Sequence, residues 1–166
     1  MTSSVLSSPS VERVRAALAA AGHDTRIVEL SGAARTARAA AGFLGCDVAQ
    51  IANSLVFRLA RSGAPLLVMS SGANRVATAR LEALVGEPVG KADAAFVRAR
   101  TGFAIGGVAP VGHAESIRTM IDSDLERHAE IWAAAGHPHA VFRLDFGALV
   151  RLTGGMPAEV AERAQV

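Results

Sequence analysis

Two apolar runs, Ile51–Leu59 (IANSLVFRL) and 65–70 (PLLVMS), dominate this chain, separated by a turn signal at Arg61-Ser62-Gly63. Each is too short for a typical buried helix and is bounded by turn residues, so together they read as a hairpin of buried strands. The segments around them carry helix punctuation. Ser8 offers an N-cap with Pro9 at the first helical position, Val11, Val14 and Leu18 share one face, and Gly22 stops the pattern. Residues 25–30 alternate as a strand, Thr36 caps an alanine-rich helix through Leu44 that Gly45 ends, and Asp47 with Gln50 forms a capping-box pattern. After the hairpin come a helix over 75–84 closed by Gly86, a strand over 89–91, and a helix from Asp93 to about Arg100.

Residues 101–113 (TGFAIGGVAPVGH) break this rhythm with four glycines, a proline and no formal charge, and predict a strand running into a rigid loop. Further strands are expected over 118–121, 130–133 and 140–144, and Asp145 caps a last helix over 146–152 before Gly154-Gly155 and a polar end. Short helices alternating with roughly seven strands, and no linker composition, argue for one α/β domain over 8–166 behind a flexible tail over 1–7.

With 166 residues and 51% hydrophobic composition, the chain builds a core without covalent staples. One cysteine, Cys46, excludes a disulfide framework and a four-cysteine zinc site. Uncharged runs such as 62–74 are too short to span a bilayer and residues 1–10 lack a signal-peptide pattern, so a cytoplasmic location without membrane partners is expected. Sixteen of the 17 basic residues are arginine, Lys91 being the exception, and they are scattered without interleaved aromatics. A net charge of +2 permits a polyanionic partner without demanding one.

Period-2 alternation puts Ile51, Asn53, Leu55, Phe57 and Leu59 on one face, making Asn53 the polar residue of an apolar face. Such an amide either bonds neighbouring backbone as a structural group or faces a ligand at a pocket mouth. The segment Gly106-Gly107-Val108-Ala109-Pro110-Val111-Gly112-His113 either closes a buried strand as a tight turn or fixes successive N–H donors toward an oxyanion or carbonyl. It matches neither a phosphate loop nor a dinucleotide fingerprint. His113, His137 and His139 lack the accompanying ligands of a zinc motif. Ser70-Ser71-Gly72 lacks the flanking pattern of a nucleophile elbow, and Cys46 reads as a packing thiol or a nucleophile near a helix start.

Taken together, I-A-N-S-L-V-F at 51–57, L-L-V-M-S-S-G-A-N at 66–74 and A-D-A-A-F-V-R-A-R-T-G-F-A-I-G-G-V-A-P-V-G-H at 92–113 resemble the YbaK/EbsC family, relatives of the editing domain inserted in, or acting beside, prolyl-tRNA synthetase. The resemblance runs from the first helix to Leu152-Thr153-Gly154-Gly155. It implies a compact α/β fold with a bent, barrel-like mixed sheet surrounded by short helices. It also implies hydrolysis of the ester of a wrongly charged aminoacyl-tRNA, usually tRNA for proline, without metal or nucleotide cofactor. The implied partners are the 3′ acceptor end of the aminoacyl-tRNA and prolyl-tRNA synthetase. In relatives the substrate's own ribose hydroxyl is thought to help the attacking water. Many relatives carry lysine where this chain has Asn53, and Lys91 lies elsewhere.

Carried onto this sequence, the resemblance gives Asn53 the positioning of ribose or carbonyl. Gly106, Gly107 and Gly112 would be the oxyanion donors, and Thr36, Ser71, Phe103, Val108, Ala109, Pro110 and His113 the substrate-binding lining. Two further readings stand beside the deacylase: a non-catalytic module binding the acceptor end or a synthetase, and a hydrolase of another small ester or thioester.

Overall fold

The computed structural model describes residues 4–163. Its centre is the expected hairpin: β2 (Ile51–Leu59) and β3 (Pro65–Ser71) pair antiparallel from Ala52↔Ser71 to Arg58↔Pro65. Around it β1 (Ile27–Glu29), β4 (Val89–Lys91), β5 (Arg118–Asp122), β6 (Ile131–His137), β7 (Ala140–Leu144) and β8 (Met156–Ala158) complete an eight-stranded mixed sheet. The strands run in the order β1-β7-β6-β2-β3-β5-β8, with β4 attached to β2 off this path. β1 and β8 are the two ends of that order.

Five helices cover it: α1 (Pro9–Ala20), α2 (Ala37–Leu44), α3 (Thr78–Val85), α4 (Ala94–Thr101) and α5 (Phe146–Thr153). The cover follows the pleat of β2. Ala52 and Val56 join the main core with Leu67, Met69 and the buried faces of α1, α4 and α5. Leu55, Phe57 and Leu59 pack with Leu66, Val68 and Leu81 of α3. Ile51 packs with Ala40 and Ala41 of α2 and with Trp132. Helix ends obey local chemistry: Thr36, Asp93 and Asp145 accept N–H bonds three residues on, and Gly45, Gly86, Gly102 and Gly154 take left-handed conformations just past the C-termini. Asp47 and Gln50 make the reciprocal capping box.

The structure departs from the sequence reading in several places. Ser8 sits at the N-cap of α1, but its hydroxyl makes no cap bond. Of the flexible tail expected over 1–7, residues 1–3 lie outside the described residues, and Val5–Ser7 form a 3-10 turn beside which the Val5 N–H donates to Glu29 and Arg15 donates to the Leu6 carbonyl. α3 begins at Thr78 rather than residue 75, because Val76 instead bridges to Ala161. Residues 101–113 hold no strand. Phe103, Val108 and Ala109 are buried in a loop, and the Gly107 N–H closes a turn onto the Ala104 carbonyl. The polar end contains β8, which pairs parallel with β5.

Candidate active site

β2 is the strand along which the sheet forks. One edge is paired along the hairpin, whereas the other meets β6 only at Ile51 and Ala52, parallel, and β4 only from Phe57 to Leu59. Between those contacts, at residues 53–56, no described strand lies against this edge. A cavity of about 170 Å³ opens there, lined by the start of β2 through Leu55, by β6 and by residues 34–37 leading into α2. Ile105, Gly106 and Val108 of the glycine-rich loop close another side.

Asn53 is half-buried, lines this cavity, and makes none of the side-chain hydrogen bonds found among the described residues. Its amide is thus free to meet a ligand's donor and acceptor groups. Thr36 lines the same cavity. Its Oγ1 accepts the Ala39 N–H at 3.1 Å, so its hydroxyl proton remains to donate elsewhere. Gly106, at φ 91, is the loop glycine at the cavity, and a Cβ there would meet nothing nearer than Pro138 Cγ at 3.7 Å.

Thr36, Asn53, Gly106 and Val108 are therefore brought together, and the other candidates lie apart from the cavity. The Gly107 N–H is committed to Ala104, and the residue packs on the β6 backbone, where a Cβ would sit 3.0 Å from His137 Cα. Gly112 packs against α1, with its Cβ position 3.4 Å from the Arg13 carbonyl. Pro110, Gly112 and His113 line a separate open groove beside α1 and α5. Phe103 and Ala109 are core residues. Ser71 is buried, its hydroxyl donating to the Ala49 carbonyl and its N–H to Asp122. His113 Nε2 lies 2.7 Å from the Ala109 carbonyl, which can only accept, so this nitrogen carries the proton. Burial holds the His113 pKa below its usual value.

Among the lining residues absent from the sequence-based candidates are Arg35, Ser54, Trp132 and His137, the last of which was weighed only as a metal ligand. A register shift between Ala134 and His137, with Gly136 at φ 96, bends β6 and sets His137 at the cavity. The His139 N–H donates to His137 Nδ1 at 3.0 Å, which leaves the proton of the neutral ring on Nε2. Burial, His139 and the Arg35 charge lower the His137 pKa, while Glu29 opposes them. The ring is thereby held as a neutral donor. The lining includes no Asp, Glu, Cys or Lys. Lys91 pairs with Phe57, four residues along β2 from Asn53 and about 13 Å away by strand rise. Cys46 packs with the α2 cluster, and burial pushes its thiol pKa up. Among the described residues no three His, Cys, Asp or Glu side chains converge as a metal site, and no helix is long and apolar enough to cross a membrane.

The aminoacyl-tRNA editing domain family profile matches residues 31–152. Among solved structures, a protein proposed as a trans-editing enzyme for prolyl-tRNA synthetase is 43% identical and superposes with a TM-score of 0.88, covering 94% of this chain and 99% of its own. A structure from work on computational grafting of epitope backbones onto scaffold proteins is 41% identical over the same shares, also at TM-score 0.88. A hypothetical protein of 28% identity follows at TM-score 0.84, covering 90% of this chain and 99% of that one. No curated protein matches.

Proposed function

Because the chain belongs to the family of aminoacyl-tRNA editing domains, we propose that it is a trans-acting aminoacyl-tRNA deacylase acting on proline tRNA that carries a small amino acid. The observation that carries this reading is the unpartnered Asn53 amide in a cavity at the fork of the sheet. At about 170 Å³ that cavity is smaller than the roughly 300–1,000 Å³ that encloses drug-sized ligands, so it suits an aminoacyl group with the nucleotide left outside. A small cavity also fits selection by size, because one methylene separates side chains by only about 1–3 kcal/mol in a first site, and a second, tighter site removes the smaller intruder.

An aminoacyl ester is already activated, and this cavity holds no evident protein base, since the His137 Nδ1 lone pair is occupied. Catalysis here is therefore positioning and charge stabilisation. A water oxygen adds to the ester carbonyl carbon, its proton passing to the neighbouring ribose hydroxyl oxygen as that hydroxyl's own proton moves on. The C–O bond to the tRNA then breaks and the ribose oxygen takes up the proton, leaving a free amino acid and an uncharged 3′ end. Asn53 Nδ2 donates to the carbonyl or to the ribose hydroxyl. Of the three loop glycines, Gly106 is the one at the cavity, so the oxyanion role assigned to the loop rests on its backbone alone.

The test is deacylation of proline tRNA bearing alanine, cysteine or serine by the wild-type protein and Asn53→Ala. One of these esters is cleaved, and the variant loses about 100-fold in kcat, the size expected for one oxyanion or carbonyl donor. The absence of a positive charge at residue 53 favours the second reading, a module that binds the acceptor end without cleaving it. Binding of the charged tRNA with no ester cleaved would select that reading over the first.

A further inference from the structure

Arg35 is the one Lys or Arg residue that lines the cavity, and no carboxylate accompanies it there. It is exposed and absent from the ion pairs among the described residues. Its backbone is nonetheless anchored on both sides: the Ala34 N–H donates to the Pro138 carbonyl at 2.7 Å, and Thr36 caps α2. A cation held on a fixed segment at the rim of a cavity without acids is arranged to receive an anion.

An aminoacyl ester brings two nearby charges. The α-ammonium finds no carboxylate in this lining, whereas the 5′ phosphodiester of the esterified nucleotide is an anion one ribose away from the reacting carbonyl. We propose that Arg35 binds this terminal phosphodiester and so registers the ester against Asn53. This rests on the deacylase reading of the cavity. The guanidinium fork matches two phosphate oxygens at once, which a lysine ammonium does not. Arg35 is accordingly a substrate-binding residue whose contact is made in ground state and transition state alike, and its loss falls on KM.

Because the nucleotide lies at the rim and not inside the cavity, its binding is read by titration calorimetry. The full chain, Arg35→Gln and Arg35→Lys are titrated with 5′-AMP, adenosine and inorganic phosphate, and assayed on mischarged proline tRNA. Arg35→Gln is expected to weaken AMP at least tenfold, leave adenosine unchanged, and raise KM about tenfold with kcat nearly constant. Arg35→Lys recovers only part of the AMP affinity. AMP binding equal to wild type in Arg35→Gln, an equal loss for adenosine, or inorganic phosphate binding as tightly as AMP would each overturn the assignment. If wild type cleaves no mischarged tRNA while the Arg35-dependent preference for AMP over adenosine persists, the deacylase reading fails and the phosphate contact stands.

Discussion

Asn53 and Asn74 carry the same amide into opposite circumstances. Asn74 Nδ2 donates to Asp122 Oδ2 at 2.9 Å and to Asp124 Oδ2 at 2.8 Å, and Asp122 is wholly buried. Removing that donor leaves a buried carboxylate short of a partner, so Asn74→Ala should destabilise by about 1–3 kcal/mol. The Asn53 side chain gives up no hydrogen bond among the described residues, and Asn53→Ala should stay within about 0.5 kcal/mol of wild type. Urea unfolding of both variants checks the pair, and a loss at Asn53 as large as at Asn74 would make it a structural amide. The position of Asn53 was legible because alternation along a strand is a local property. That it has no partner was not, since this depends on β6 and β4 leaving the β2 edge bare. Arg35 was equally hidden: nothing in the sequence separates it from fifteen other arginines except its neighbour Thr36.

At the scale of elements, local chemistry was readable and long-range pairing was not. Thr36, Asp93 and Asp145 cap the helices they precede because a cap is settled within four residues. The segment 101–113 misleads because burial, whether in a strand or in a loop, asks for the same apolar residues. β8 escapes notice because three residues, one of them proline, owe their extended form to β5. The C-terminal segment that contains β8 is also tied down by charge. Arg163 makes two bonds to Asp124, at 2.9 and 3.1 Å, in the 3-10 turn that follows β5. The Arg163 guanidinium, with help from Asn74, holds the Asp124 pKa down at about 2, against an ordinary 3.8. Because the folded value is the lower one, this stabilisation is complete above about pH 4 and is lost as pH falls through about 2. The urea midpoint of wild type should therefore drop between those values more steeply than that of Arg163→Gln. Parallel curves for the two proteins would mean that the pair contributes nothing measurable.

At the scale of the whole molecule, the function depends on a feature that no local pattern encodes. β2 pairs parallel with β6 for two residues and antiparallel with β4 for three, and the cavity exists because these neighbours diverge. Parallel pairings join segments far apart in the chain, so the pattern of elements suggested an α/β domain, and the family resemblance a bent, barrel-like sheet, without placing the fork. The charge distribution sets how such a cavity can meet a tRNA. Six arginines, at 15, 80, 100, 127, 143 and 163, are already paired with carboxylates among the described residues, and the net charge is only +2. The other ten arginines and Lys91 stand outside these pairs but are scattered along the chain, and with so small a net charge recognition should concentrate on the acceptor end. Each neutralised phosphate contributes a slope of about −0.7 to −0.9 to log affinity against log salt. Binding of mischarged proline tRNA is thus expected to show a slope of only about −2 to −3, and Arg35→Gln should reduce it by about 1. A slope of about −6 or steeper, untouched by that substitution, would instead place the tRNA along an extended basic surface away from the cavity.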